Sequence, residues 1–524
     1  MKRGLAAIAL AVLFTVAACG STSGGGAKTS SSGTTQKTLT VAIGINPDTM
    51  DPQAQTTTTV GQIVLMVVEP LVTVNAQGKV EPVLATSWKQ SSNGLSYTFN
   101  LRQGVTFQDG EPFNAQAVKF SLDRINDPNV YKAQPGLLRD IKDTVVVNNY
   151  QVRVDLKTTF PAFIPAMSQI TAGIIAPKSV TADGNTPAKI VHPVGTGPYS
   201  FQEFAQSDHV TLNRFSGYWG KKPAYKTQVY KVVPEQASRE SLVKAGQADI
   251  AIGFPVNDLP ALKAESNVKV ILGPSDRTVY MPINTVDKKQ PLLQNPKVRQ
   301  ALNYAVDKNA IVKNALFGAG QVSTAPMSPD LFGYCKTGPY SYDPQKAKQM
   351  LQQAGAEGMS IKLMSPQGRY INDYTVSQVV AGDLRAVGLK VTFPNPLDWP
   401  SYLAYTEEVA PGTDNVDVHM IGWAPSYLDA TQQTEIMIPP LPPTGDDSSY
   451  YANPQVVSLL TKANTELNPA QRKADYCTAS KQFWNDAPWI FLYEQKNPIL
   501  TTTGVTNVQP LPNEQVTTAW AKPT

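Results

Sequence analysis

Between Leu5 and Val16 the chain carries no charge, and the residues on either side decide what that run can become. Lys2 and Arg3 precede it, and Val16-Ala17-Ala18-Cys19-Gly20 follows. A basic head, a short apolar stretch and a small-residue cleavage site make a secretory signal over residues 1–18, not a structural helix. The run also falls short of the roughly 20 residues that span a bilayer. No later segment holds eighteen uninterrupted apolar residues, so no other span is predicted. From Gly20 to Gln36 the sequence is almost entirely Ser, Thr, Gly and Ala, with a lone Lys28. Such a composition cannot bury enough apolar surface to order itself, so residues 19–37 read as a flexible linker.

A cysteine directly after the small pair resembles the lipobox of bacterial lipoproteins, in which the cysteine sulfur is lipidated and becomes the new N-terminus. That resemblance implies a lipid anchor at Cys19 and a body held on the extracytoplasmic face of a membrane. The alternative is an ordinary signal peptide with a chance cysteine. Behind the linker lie about 490 residues. One hydrophobic core stops growing near roughly 250–300 residues, so two or more lobes are expected. Without Lys2 and Arg3 the chain has 43 basic against 41 acidic residues. That balance lacks the basic surplus of a nucleic-acid binder. Charged residues are 16% of the chain, below the roughly 25% usual for soluble proteins. The surface is therefore expected to be rich in Ser, Thr, Asn, Gln and proline-bearing loops. With Cys19 assigned to lipid, Cys335 and Cys477 remain, and two thiols in an oxidising compartment tend to pair. Two buried thiols are the alternative. No CxxC and no Cys/His cluster argues for a metal site or a cofactor.

Strand and helix signals alternate along the body. Thr38–Ile43 is β-branched and apolar and reads as a strand. Ser96–Leu101 and Gln151–Leu156 alternate at period 2, with Tyr97, Phe99 and Leu101, and Val152, Val154 and Leu156, on one face each. Asn114 is a helix N-cap candidate, Pro296 a first-turn proline, and Asp343-Pro344 opens a helix that stops at Gly355. Val416–Ile421 reads as a buried strand. Alternation of this kind indicates layered α/β or α+β architecture without naming a function.

The stretch from Leu84-Ala85-Thr86-Ser87-Trp88 to Arg124 carries Asn93-Gly94, Tyr97-Thr98-Phe99, Leu101-Arg102, Gly104-Val105, Phe107, Asp109-Gly110, Pro112-Phe113, Ala117-Val118 and Phe120-Ser121. This ordered pattern resembles the family 5 extracellular solute-binding proteins, the peptide/nickel-binding group that feeds ABC importers. Thr49-Met50-Asp51-Pro52, Glu69-Pro70-Leu71, Gly195-Thr196-Gly197-Pro198-Tyr199, Ala237-Ser238-Arg239, Gly422-Trp423 and Asp486-Ala487-Pro488 extend the resemblance over nearly the whole body. Most of these residues also have plain physical readings as turns and scaffold; Gly94 and Asp109-Gly110 are turn signals. The Gly195-to-Pro198 segment lacks the spacing of a phosphate loop.

The resemblance implies an α/β, two-lobed periplasmic-binding-protein fold of the large, three-subdomain type, with a hinge and a ligand cleft between the lobes. Lobe one would combine residues 38–75, 190–278 and 490–524, with an extra subdomain over 76–189, and lobe two would run over 279–489. The chain would cross between lobes near Pro274–Pro282 and Pro488–Tyr493. It further implies a solute or peptide ligand, permease subunits as partners, and a monomer tethered through its N-terminus.

In peptide-binding relatives a carboxylate three residues after the cleft tryptophan grips the peptide ammonium; here that position is Ser426. A neutral hydroxyl cannot match a charge-assisted bond. Asp429 either replaces that carboxylate or caps the next helix. Trp423 and Tyr427 suit a flat or cyclic ligand group, with core packing as the alternative. Met50 and Asp51 are expected to face them across the cleft. An oligopeptide or dipeptide is the leading ligand, with an oligosaccharide or a metal chelate as alternatives. Gly-x-Ser-x-Gly and His-Glu-x-x-His are both missing, and His192, His209 and His419 lie apart in sequence, so no enzyme is expected. A secreted hydrolase working through a carboxylate pair is the alternative from another class.

Overall fold

The computed structural model describes residues 38–524 apart from 56, 128–129, 131–137, 139, 182–184, 187–189, 407–415 and 439–448. The signal peptide, Cys19 and the linker therefore lie outside the described residues. The unit described below is Lys37–Thr524.

Its largest sheet has seven strands in the order Val268–Gly273, Asn497–Thr502, Ile250–Ile252, Thr38–Ile43, Thr227–Val232, His209–Arg214 and Tyr199–Ala205. Thr38–Ile43 sits inside it and runs parallel to both neighbours, from Thr38 opposite Thr227 to Ile43 opposite Val232 on one side. Burial on both faces explains why its second half, Val41-Ala42-Ile43, is apolar without alternation. Leu39, Val41 and Ile43 pack into a core with Tyr199, Leu212 and Tyr230, while Ala42 on the other face joins Val243, Phe254 and Leu500.

A separate four-stranded antiparallel sheet holds Ala85–Gln90, Ser96–Leu101, Gln151–Leu156 and Ile141–Asn148. Here one face is buried and one wet, so the sequence alternates as read: Tyr97, Phe99 and Leu101 are buried while Asn100 is exposed. The helix Ala115–Asp123 covers the buried face, and the Asn114 side chain accepts from Gln116 N–H and Ala117 N–H. Gly195 passes so close to the Val67 carbonyl that a Cβ there would overlap it, so this segment is a packed connection.

Two further sheets build the other side of the molecule, besides three two-stranded pairs among the described residues. Lys390–Thr392, Ser360–Met364 and Val418–His419 run parallel, and Gly320–Val322, Trp489–Gln495, Thr278–Pro282 and Ile421–Trp423 run antiparallel. The single strand read over 416–421 is two. Val418–His419 pairs with Leu363 and Met364, then the chain changes sheet at Met420, and Ile421 lies opposite Tyr280. Asn295 and Asp343 cap the helices Pro296–Ala305 and Pro344–Gln353, each with proline in the first turn, and Gly355 ends the latter at φ +67°. Two connections join the seven-stranded sheet to the antiparallel one: residues 274–277, and Lys496 alone between Gln495 and Asn497. Both crossing strands, Thr278–Pro282 and Trp489–Gln495, pair with each other. Cys335 and Cys477 form a disulfide, with Cα atoms 5.1 Å apart.

Candidate functional site

Beside these crossings lies a cavity of about 700 Å³. One wall comes from Ile45, just past the strand Thr38–Ile43, from residues 57–59 and 169–171, and from residues 513–515. The other comes from Arg369, Trp399, the segment 422–426 and Gln432, with Arg277 at the crossing itself. A site at the carboxyl end of a parallel strand follows the general rule for open α/β sheets.

Charge in the cavity is concentrated in three side chains. Arg277 Nε donates to Glu514 Oε1 at 2.8 Å and Nη2 to Oε2 at 2.5 Å, a bidentate pair braced by the Ser275 hydroxyl at 2.8 Å from Oε1. Burial opposes the charge on both partners, yet Arg277 holds Glu514 below its ordinary pKa, and Glu514 raises that of Arg277. Arg369 has no carboxylate partner among the described residues. Its guanidinium carbon lies 5.1 Å from the Trp399 ring centroid and 5.3 Å from that of Tyr370. Its side chain makes no hydrogen bond or ion pair among the described residues and is exposed to the cleft. Burial by the cleft walls, with Arg277 nearby, lowers its pKa, although it stays a cation at neutral pH. Glu514 is the only carboxylate among the lining residues, so the described wall carries one cation in excess.

Trp423 ends the strand Ile421–Trp423, half-buried on the cavity wall, and its indole N–H has no partner among the described residues. The same holds for the side-chain carbonyl of Asn513. Gly422 has to be glycine here, because a Cβ would come 2.8 Å from the Tyr370 ring, whose hydroxyl donates to the Gly422 carbonyl at 3.2 Å. Ser426 lines the cavity as well, with its backbone N–H on Gln432 Oε1 at 2.5 Å.

Four of the expected site residues point elsewhere. Tyr427 is 1% exposed and meets Phe160 edge-on at 6.1 Å in the core under the Ala85–Gln90 sheet. The segment at 424–427 is not helical, so Trp423 and Tyr427 share no face. Asp429 caps the short helix Ala430–Gln433 through Thr431 N–H at 2.9 Å, and both its oxygens are held by Arg472 at 2.8 and 2.5 Å. It is therefore the cap of the two alternatives, tied further into a buried pair. Met50 is in the core of the seven-stranded sheet, and Asp51 is fully buried against Arg124, with contacts of 3.2 and 2.6 Å.

Sequence reasoning missed Arg277, Arg369, Trp399 and Glu514. Arg277 lies inside the crossing flagged at Pro274–Pro282, which was the available signal. Arg369 follows a Pro-Gln-Gly turn, where an exposed cation next to an aromatic has no packing role to fill. Glu514 carries no signal: only the fold brings residue 514 against residue 277.

A family model described as bacterial extracellular solute-binding proteins, family 5, middle region, matches residues 79–442. The chain belongs to this family. The glutathione-binding protein GsiB of Salmonella typhi is 31% identical over 468 residues, covering 88% of this chain and 89% of that protein. HbpA2 from Haemophilus parasuis shares the fold at a TM-score of 0.81 and 24% identity, over 93% of this chain and all of that one. A peptide-bound DppA from Helicobacter pylori superposes at 0.75, also at 24% identity, over 93% and 98% of the two chains. Family 5 members are extracytoplasmic binding proteins that work with ABC permeases, and the fold is the family's mixed α/β architecture with several sheets. Among the described residues no helix is long and apolar enough to cross a membrane.

Proposed function

We propose that this family 5 protein is a lipid-anchored receptor that captures a carboxylate-bearing peptide, dipeptide to oligopeptide in size, and delivers it to its permease. The observation that carries the reading is Arg369, a cleft cation with no carboxylate partner among the described residues. A guanidinium held against two aromatic rings, with no side-chain hydrogen bond among the described residues, matches a carboxylate bidentately. The Glu514–Arg277 pair and the Asn513 carbonyl supply acceptors for an ammonium in place of the carboxylate that Ser426 lacks. Trp423 offers a ring face and an N–H. An unmet buried polar group costs about 1–3 kcal/mol, which a polar ligand would relieve. The relatives' glutathione and peptide ligands are the same chemistry: small amides that end in carboxylates.

Calorimetric titration tests the reading with glutathione, di- and tripeptides, their C-terminal amides, oligosaccharides and nickel-histidine. Carboxylate-ended peptides should bind with one-to-one stoichiometry and no turnover, and amidation should abolish most of the affinity. Binding of a sugar or a chelate alone, equal binding of amides, or hydrolysis of glycosides would reject it. The anchor has its own test. Cys19→Ser should release the protein into the medium and end fatty-acid labelling, and a mutant that stays labelled and membrane-bound would reject the lipobox.

A further inference from the structure

The strand Thr38–Ile43 has the cleft at one end, at Ile45, and something different at the other. Thr38 lies opposite Thr227, and Thr227 opposite Asn213. Around this end is a concavity of about 310 Å³ lined by Asn213, Arg214, Ser216, Lys222, Lys226 and Thr227. Three of these six residues are cations and none is acidic. Lys222 and Lys226 are exposed, and none of the three forms an ion pair among the described residues. Arg214 is fixed in place: Nη1 donates to the Pro223 carbonyl at 2.9 Å, and its backbone N–H to that of Lys226 at 2.7 Å. Cations on a protein surface usually alternate with carboxylates. A cluster of three in a chain of almost balanced charge is a local field, not a reflection of the whole molecule.

We infer that this face docks on an anionic lipid surface, with Arg214, Lys222 and Lys226 against headgroup phosphates. Charge complementarity is one support. The other is position: the body joins residues 19–37 at Thr38, so the basic face is the end of the sheet covalently nearest Cys19. The inference rests on the lipid-tether reading in the sense that a tether makes a weak contact effective. Nineteen residues reach at most about 65 Å, which keeps the local lipid concentration high. Each cation near an anionic surface strengthens binding roughly fivefold. Docking by this end turns the cleft, at the other end of the same strand, away from the bilayer and toward arriving solute.

The test uses the full chain carrying Cys19→Ser, so that lipidation plays no part. It is floated with phosphatidylglycerol-containing vesicles and with pure phosphatidylcholine vesicles, at low and at high salt. The expected result is flotation with the anionic vesicles at low salt only, and at least about 25-fold weaker partitioning for Lys222→Glu/Lys226→Glu, two cations at roughly fivefold each. Both lysines are exposed, so an unchanged melting temperature should accompany the loss. Equal flotation on neutral vesicles, equal partitioning of the double variant, or binding of inorganic phosphate without vesicle binding overturns the inference. Fatty-acid labelling of the unmutated chain reads the tether separately: docking without labelling removes the anchor alone, and labelling without docking removes this face alone.

Discussion

Two arginine–carboxylate pairs in this molecule look alike and do different work. Arg472 and Asp429 are 4% and 3% exposed, and the arginine spends its remaining donors on the Ala463 carbonyl, the Thr431 hydroxyl and the Tyr476 hydroxyl. Arg277 and Glu514 are 12% and 16% exposed, open onto the cleft, and have the unpaired Arg369 close by. The first pair is closed chemistry, complete without any ligand. The second is an unfinished arrangement with one positive charge left over. A carboxylate's place in a motif therefore says little about function until its partners are counted.

The largest effect should come from breaking the closed pair. Arg472→Ala leaves Asp429 buried without its cation, and such removals cost about 3–5 kcal/mol. Urea denaturation should show that loss, while calorimetry on the folded protein should find ligand affinity unchanged. A variant of normal stability and reduced affinity would erase the distinction between the two pairs.

A third kind of buried charge extends the comparison. Glu494 lies on the crossing strand Trp489–Gln495, opposite Thr278. Burial pushes its carboxyl up to about 7, with the Ser323 hydroxyl and Lys496 only partly offsetting that. Because the folded state holds this proton more tightly than the unfolded chain, the contribution of Glu494 to stability is highest below pH 4.5. It falls as the pH rises toward 7 and stays lower above. A shift of this size is worth about 3 kcal/mol. Glu69, also raised to about 7 by burial, adds a fall in the same window. Glu494→Gln should flatten the decline in melting temperature between pH 4.5 and 7 without removing it. An unchanged slope would mean that Glu494 is ionised and matched in the fold.

On the open side, Trp423→Ala should weaken peptide binding by more than about 2 kcal/mol, roughly thirtyfold. Trp423 is half-buried and also touches the cluster around Trp489, so a melting measurement belongs with the titration. A melting loss of the same size with unchanged affinity would move Trp423 into the closed class.

What the sequence disclosed divides along the same line. Strands buried on one face, such as Ser96–Leu101, and helices with side-chain caps, such as those opened by Asn114 and Asp343, were legible because the signal is local and repeats at the element's own period. The Cys335–Cys477 pairing followed from counting. Trp423, expected at a strand end, and Ser426, singled out by the family resemblance, both line the cavity. Asp51 was misplaced, and Asp429 and Tyr427 stayed open between two readings, because their partners, Arg124, Arg472 and Phe160, are 73, 43 and 267 positions away, and no local pattern shows that a group is already satisfied. Arg369 is the reverse case: its meaning is the lack of a carboxylate partner among the described residues, which only the fold displays.

That makes Arg369 the finest test of the comparison. Arg369→Ala should cost about 2 kcal/mol of peptide affinity, the range of a charge-assisted hydrogen bond, with little change in stability because the exposed guanidinium makes only ring contacts among the described residues. Arg369→Lys keeps the positive charge and loses both the planar fork and the stacking on Trp399 and Tyr370. If the cleft holds a carboxylate bidentately, the lysine variant should fall between the other two, about fivefold to tenfold weaker than wild type. If the cation acts only through its field, lysine should restore full affinity. If lysine and alanine are equally weak, stacking rather than charge carries the contact, and the ligand's carboxylate lies elsewhere in the cleft. Titration of the three proteins with one peptide and its C-terminal amide separates these outcomes, because only a bidentate grip makes the arginine-to-lysine difference vanish for the amide.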